Sequence, residues 1–289
     1  MSLERVRGTD DPRIAVYRDV SDAELMRSRG LFVAEGRLVV QRVMEDARYH
    51  VQSVLVSESA RRSLEPALNA VASSVPIYVC EAGDFLGITG HDIHRGCLAL
   101  VERPPAVSVH GLLRNVAQAR TPASRNAGLT PCATLIVLEA VANADNVGGV
   151  FRNAAALGAD GVLLSPTCCD PLYRKAIRTS MAAVLRVPFA RAGDWPGALS
   201  DVRAAGFTIV ALTPREPSES LDAFRSRPRL NRIALVVGAE GAGLTPAVEG
   251  TADHRVRIPI SDGVDSLNLA VAVGIALYEL NTDKERRDR

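Results

Sequence analysis

The sequence predicts an α/β protein in two parts, a small α/β domain followed by a larger one whose parallel sheet is covered by helices on both faces. Three observations predict it. Strand-like and helix-like patterns alternate along nearly the whole chain. In the second half the apolar runs IVL, VLL and IALVV are continuous, as strands buried on both faces require. Between the halves, residues 104–131 hold Pro104, Pro105, Pro122 and Pro131 around a Ser/Asn/Gly-containing centre, the composition of a linker. The expected division is therefore 1–103, linker 104–131, and 132–289.

Taken in order, the opening dozen residues are polar and expected to be loose. Ala23–Arg29 reads as a short helix, Leu31–Ala34 as a strand, and Gly36–Ala47 as a helix with Leu38, Val39, Val43 and Met44 inward. Val51–Val56 is a strand, Glu58–Ala70 a helix carrying Leu64 and Leu68, Ile77–Val79 a strand, Glu81–Leu86 a helical turn and Cys97–Val101 a last strand. Within the linker, Val109–Ala119 has the pattern of one helix.

In the second domain the strands are expected at Thr134–Leu138, Gly161–Leu164, Val187–Ala190, Thr208–Leu212, Ile233–Val237 and Arg255–Ile258. Three segments stand out. Leu135–Gly161 passes from a strand through a polar turn at Asn143–Asn146 into a helix whose Val150, Ala154 and Leu157 face one way. Ile233–Leu244, IALVVGAEGAGL, ends a buried strand directly in Gly238, Glu240, Gly241 and Gly243. Arg257–Leu280, RIPISDGVDSLNLAVAVGIALYEL, runs from a strand through a turn into a helix. That helix presents Ser266 and Asn268 beside unpaired backbone N–H groups, where a polar ligand can be held.

The glycines of the second segment do not have the order of a dinucleotide fingerprint, nor the Lys of a P-loop. They suit backbone that must approach a ligand or another loop closely. Taken singly, the polar residues have ordinary readings: Asn146 as a helix N-cap, Arg152 as a partner of Asp145, Glu240 as a cap for the helix beginning near Thr245.

Together the three segments resemble the signature motifs of the SpoU (TrmH-type) RNA 2′-O-ribose methyltransferases of the SPOUT superfamily. Asn146, Gly148 and Arg152 match N-x-G-x-x-x-R, VVGAEGAGL matches G-x-E-x-x-G-[LM], and IPI with SLN matches the third motif, in the family's order and spacing. Asp145 stands where many members have glycine, Asn153 where threonine is common, and Ile260 where methionine is usual. The stretch FVAEGRLVVQRVMEDARYHVQSVLVS is similar to the L30e-like substrate-binding domain that precedes many such enzymes.

The resemblance implies a deep trefoil knot formed by the loops Gly238–Gly243 and Ser261–Ser266. It also implies S-adenosylmethionine as cofactor, with no metal, and a homodimer formed through the catalytic domain. The RNA substrate it implies is ribosomal RNA, with transfer RNA as the rival and a catalytically weak RNA-binding relative as the alternative. Asn146 and Arg152 would contact the ribose and a neighbouring phosphate, Glu240 would orient the arginine or the substrate, and Ser266 and Asn268 would complete the site. Leu212, Thr213, Gly238, Ile258, Ile260 and Leu267 would hold the cofactor. Arg29, Arg37, Arg42, Arg48 and Arg95 are the first domain's cations available to RNA.

Composition agrees with a globular protein of this kind. The 289 residues are 47% hydrophobic with a formal net charge of +1. Charge distribution matters more to a nucleic-acid partner than the sum. Residues 103–138 carry Arg103, Arg114, Arg120 and Arg125 and no acid, and residues 171–193 carry Arg174, Lys175, Arg178, Arg186 and Arg191 and no acid. These stretches read either as phosphate contacts or as solvated faces. The five cysteines have no metal-ligand spacing, and the vicinal Cys168 and Cys169 read as core residues before redox ones. The charged N-terminus lacks a signal-peptide core and no apolar run reaches membrane-spanning length, so a cytoplasmic location is expected.

Overall fold

A computed structural model describes residues 2–90, 96–118, 133–228, 230–261, 263–264 and 266–281. Among them no helix is long and apolar enough to cross a membrane. The chain forms two compact units, Met1–Pro105 with Pro171–Ala182, and Ala106–Asp170 with Ala183–Arg289.

The first unit is built on a mixed five-stranded sheet of β1 (Ser2–Arg5), β2 (Leu31–Glu35), β3 (Val51–Ser57), β4 (Pro76–Cys80) and β5 (Cys97–Glu102), in the order β1-β4-β3-β5-β2. The opening residues are not loose. Ser2–Arg5 pairs in parallel with β4, Leu3 opposite Ile77 and Arg5 opposite Val79, and Arg13 bridges Glu4 and Asp11. A polar edge strand takes its stability from backbone bonds to a partner seventy residues away, a signal absent from local pattern.

The helix expected over Glu58–Ala70 is two, Glu58–Ser63 and Glu65–Ala70. Pro66 lies in the first turn of the second, where its missing N–H costs nothing, and it cannot continue the first. On the helix Arg37–Glu45 the buried residues are Val39, Val40 and Val43, while Leu38 is exposed, correcting the expected inward face. The core gathers Ile14, Tyr17, Leu25, Val33, Leu55, Phe85 and Leu98, with the Tyr17 hydroxyl satisfied by Ser53 Oγ at 2.7 Å. The helix Arg174–Thr179 belongs to this unit. Arg174 bonds Asp22 through its backbone N–H at 2.8 Å and pairs with it through Nε at 2.9 Å, and Arg178 donates to the buried Glu35 at 2.8 Å.

The second unit has seven strands, all parallel: β6 (Ala133–Glu139), β7 (Gly161–Leu164), β8 (Phe189–Arg191), β9 (Thr208–Leu212), β10 (Glu219–Ser220), β11 (Arg232–Gly238) and β12 (His254–Arg257). Their order is β10-β12-β9-β11-β6-β7-β8, so β11 lies between β9 and β6. Leu135, Val137, Leu163, Ile209, Ala211, Ala234 and Val236 pack on one face beneath the helices Val109–Gln118, Ala198–Ala204 and Pro246–Thr251. The alternate residues Ile136, Leu138, Val162, Leu164, Val210, Leu235 and Val237 are equally buried. That accounts for the continuous apolar runs.

On this opposite face the helices Ala144–Leu157 and Leu269–Asn281 pack closely together. A side chain at Gly149 would press on Ala270 Cβ at 2.7 Å, and Asn153 Nδ2 donates to the Ala270 carbonyl at 2.5 Å. At the far end Asn281 bonds Leu157 O and Thr134 Oγ1. The helix Leu269–Asn281 buries Leu269, Val273, Ala276 and Leu277, while Val271, Ile275 and Tyr278 are exposed at 50%, 37% and 47%.

Candidate functional site

The four central strands β12, β9, β11 and β6 are parallel neighbours, so the loops that follow them emerge together at their carboxyl ends. Open parallel sheets place ligand crevices there, at the point where strand order reverses. Here order reverses between β6 and β11, whose last residues Glu139 and Gly238 are register partners, and the cavity lies to the β12 side of that point, at the ends of β9, β11 and β12.

The loop after β6 ends in a helix cap. Asn143, not Asn146, is the N-cap, its side-chain oxygen accepting from the Asp145 N–H at 2.8 Å. Asn146 is thereby left for another partner, and it is 4% exposed. Its Oδ1 accepts from Asn268 Nδ2 at 2.9 Å, and the same nitrogen donates to Glu240 Oε1 at 3.0 Å. Asn268 Oδ1 meanwhile accepts from the N–H groups of Ala270 and Val271 at 3.0 and 3.3 Å, capping the last helix. One side-chain amide therefore joins all three motif segments.

The turn after β11 depends on glycine. A Cβ on Gly238 would overlap the Gly243 carbonyl carbon and oxygen and the Leu244 nitrogen, all backbone atoms that cannot swing aside. Across this narrow loop the Gly243 N–H donates to Ala239 O at 2.9 Å, and Gly241 has the left-handed φ of 81° that glycine adopts freely. Glu240 is not a helix cap. That role falls to Thr245, whose Oγ1 accepts from the Val248 N–H at 3.4 Å.

Behind these loops lies a cavity of about 470 Å³. Leu212, Thr213, Gly238, Ile258, Ile260 and Leu267 all line it, as do Glu240 and Ser266. The strand expected to run on to Ile258 ends at Arg257, and Pro259 lies just beyond it. Arg152 is not part of the Asn268 cluster. It is exposed on the helix Ala144–Leu157, with no hydrogen bond or ion pair among the described residues.

Sequence reasoning missed the residues that brace this site. Arg215 donates to the carbonyls of Leu244 and Ala242 at 2.8 and 2.6 Å and lies 3.5 Å from Glu249, which in turn accepts from Thr213 Oγ1 at 2.9 Å. Glu139 accepts from Thr245 and Trp195. None has a local signal, because each acts across tens of residues.

The basic stretch at residues 171–193 is largely structural: Arg174 and Arg178 are paired as above, and Arg191 donates to the carbonyls of Ser165, Pro166, Cys168 and Cys169. Cys168 is buried, its thiol donating to Leu138 O at 3.2 Å. Of the first unit's cations, Arg48 pairs with Asp46 at 2.6 Å, Arg37 donates to Ser63, Arg42 is partly buried and Arg29 is exposed, while Arg95 lies outside the described residues, as do Arg120 and Arg125 between the expected domains. No group of three or more His, Cys, Asp or Glu side chains is placed to hold a metal among the described residues.

The parallel sheet thus carries a cavity at its carboxyl ends, beside three loops that meet on Asn268. Known proteins share the fold. The SpoU rRNA methylase family model matches residues 133–278. A Mycobacterium bovis protein named an uncharacterised tRNA/rRNA methyltransferase is 38% identical over 283 residues, covering 96% of this chain and 92% of its own. One from Mycobacterium tuberculosis H37Rv matches at the same identity and coverage. The AdoMet-bound rRNA methyltransferase from Sinorhizobium meliloti shares the fold with a TM-score of 0.78 at 24% identity, covering 96% of this chain and 97% of that one. The AdoMet complex of the SpoU methyltransferase AviRb from Streptomyces viridochromogenes gives 0.69 at 22% identity, covering 96% of this chain and 100% of that one. The chain belongs to the SpoU rRNA methylase family.

Proposed function

We propose that the protein transfers a methyl group from S-adenosylmethionine to a ribose 2′-hydroxyl of structured RNA, ribosomal RNA before transfer RNA. The observation that carries this reading is the Asn268 amide, which binds Asn146 and Glu240 together beside the cavity. The cavity suits the cofactor. Its volume of about 470 Å³ is within the range of small-molecule sites. Its wall is mostly backbone and apolar side chain from Leu212, Gly238, Ile258 and Leu267, and Gly238 lets the loop backbone at Gly243 and Leu244 close against it, where a Cβ would overlap. When bound, the cofactor supplies an activated methyl group with its own leaving group.

The chain's residues then orient the acceptor. Asn146 and Glu240 are held in one geometry by a shared donor, which lowers the ordering cost of aligning a hydroxyl for in-line attack. Arg152, exposed and without an internal partner among the described residues, is available to a phosphate and to the developing alkoxide. A guanidinium stays protonated in proteins, so Arg152 acts as an electrostatic stabiliser and not as the base. The loops Gly238–Gly243 and Ser261–Ser266 are read as those of the trefoil knot.

Residues 1–103 are read as the RNA-holding, L30e-like domain, 104–131 as the linker and 132–289 as the methyltransferase domain. The exposed stripe Val271, Ile275 and Tyr278 is read as the homodimer contact, since a helix apolar on two sides needs a second surface to cover it.

The test is incubation of the purified protein with isotopically labelled S-adenosylmethionine and separate ribosomal and transfer RNA fractions, followed by nucleoside mass spectrometry. Label in a 2′-O-methylnucleoside is expected, with ribosomal RNA the better acceptor. Label in a base overturns the ribose assignment. Binding of RNA without any transfer would favour the catalytically weak reading.

A further inference from the structure

We propose that Glu139 is the positioning residue of the loop 239–245, holding the cavity wall and Glu240 in place through the Trp195 indole and both donors of Thr245. The claim deepens the methyltransferase reading and rests on it for its activity readouts, though not for its geometry. Glu139 is the last residue of β6, 3% exposed, and has no ion-pair partner among the described residues. A buried carboxylate is costly unless its lone pairs are occupied. Three donors occupy them: Trp195 Nε1 to Oε1 at 2.9 Å, Thr245 Oγ1 to Oε1 at 2.8 Å, and the Thr245 N–H to Oε2 at 2.9 Å.

The placement is what gives the carboxylate its leverage. Gly238, the register partner of Glu139, begins the loop and Thr245 ends it, so one residue at the end of β6 holds both ends in register. The backbone turns sharply just after this residue. Ala140, immediately after it, has φ 54°, a left-handed conformation that a non-glycine residue adopts only when its surroundings hold it there, and its N–H is anchored on Ser165 Oγ at 2.8 Å. Strain of this kind gathers at functional sites.

Only an acceptor on both oxygens fits. In Glu139→Gln, either orientation turns the amide NH₂ toward a donor, the Thr245 N–H or the Trp195 N–H. With Trp195→Phe added, one orientation becomes acceptable. The amide oxygen then accepts from the Thr245 N–H while the NH₂ donates to Thr245 Oγ1.

Trp195 is the chain's sole tryptophan, so its emission reports this anchor directly. In the full-length protein, Glu139→Gln is expected to shift that emission and to speed amide exchange across residues 239–245, with or without cofactor. It is also expected to raise the KM for S-adenosylmethionine on the order of tenfold and, through the loosened Glu240, to lower kcat, while leaving the KM for RNA unchanged. Glu139→Gln with Trp195→Phe should recover most of the cofactor affinity, a rescue that general destabilisation would not give. Should Glu139→Gln not fold, Trp195→Phe removes one donor, keeps the carboxylate and the Thr245 cap, and should show the same exchange signature. Unchanged exchange and cofactor KM in the variant that folds, or a double variant no better than Glu139→Gln, would overturn the proposal. A wild type that never binds S-adenosylmethionine overturns the methyltransferase reading instead, and the emission and exchange results still judge Glu139.

Discussion

Replacing Asn268 separates two jobs that its side chain performs at once. Its oxygen caps the last helix through the Ala270 and Val271 N–H groups, and its nitrogen bridges Asn146 and Glu240. Asn268→Ala loses both. The cap is worth about 1 kcal/mol, and the buried Asn146 oxygen left without a donor costs about 1–3 kcal/mol. The sum, about 2–4 kcal/mol, corresponds to a Tm lowered by about 5–15 °C in a unit of this size. Asn268→Asp keeps the cap, and a carboxylate at a helix N-terminus adds about 0.3–1 kcal/mol.

Asn146 can turn its amide to donate to the new aspartate. Glu240, however, would meet a like charge at the present 3.0 Å. Being exposed, Glu240 rotates into solvent to escape a repulsion on the order of 1–4 kcal/mol. Asn268→Asp should therefore melt within a few degrees of wild type yet lose turnover on the order of a hundredfold. Scanning calorimetry and a labelled-methyl transfer assay on both variants check it. If the aspartate variant is as unstable as the alanine one, or keeps a third of wild-type turnover, the division of labour assigned to Asn268 is wrong.

Arg152→Ala should leave Tm within about 1 °C of wild type, as surface changes without partners do, while turnover falls on the order of a hundredfold or more at unchanged cofactor affinity; near-normal turnover refutes its role. Gly238→Ala forces a Cβ into the backbone of Gly243 and Leu244, so about 1–3 kcal/mol of stability and most cofactor binding should be lost, as calorimetric titration would show. Val271→Glu and Ile275→Glu place charge on the exposed stripe of the last helix, and sedimentation equilibrium should show a shift to monomer; a wild type already monomeric and active at micromolar concentration refutes the dimer. Burial, helped by Asp84 and Glu81, pushes the Cys80 thiol up to about 12. Unfolded thiols titrate near about 8.5, so from there to about 12 the unfolded chain binds fewer protons and stability falls as pH rises. Cys80 should accordingly resist iodoacetamide at pH 9 until denaturant is added, as peptide mapping would reveal.

Most of the second unit's strands were legible because a parallel strand buried on both faces prints a continuous apolar run, as in IVL before Glu139 and IALVV before Gly238. The motif residues Asn146, Glu240 and Asn268, which the structure brings together, were legible through unusual residues at family spacing, as were the cavity-lining Gly238, Ile258 and Leu267, while Leu212, Thr213 and Ile260 were expected beside them and line the same cavity. The edge strand Ser2–Arg5 was not, since it is polar and held by a partner distant in sequence. Nor was the exposure of Leu38, because a helical pattern gives the period of a face and not which neighbours cover it.

What the sequence by itself determined is most of the second unit's elements and the residues that meet on Asn268 or line the cavity, both written in local periods and in fixed spacings along one chain. Tertiary structure alone decided which asparagine caps and which one joins the site. It assigned the cap to Asn143 and thereby freed Asn146 for Asn268. It also brought Glu139, Trp195, Arg215 and Thr245 together around one loop. Those contacts span from about 30 to more than 100 residues of chain, and a hydrogen bond's strength depends on distance and angle in space, which no spacing along the sequence encodes.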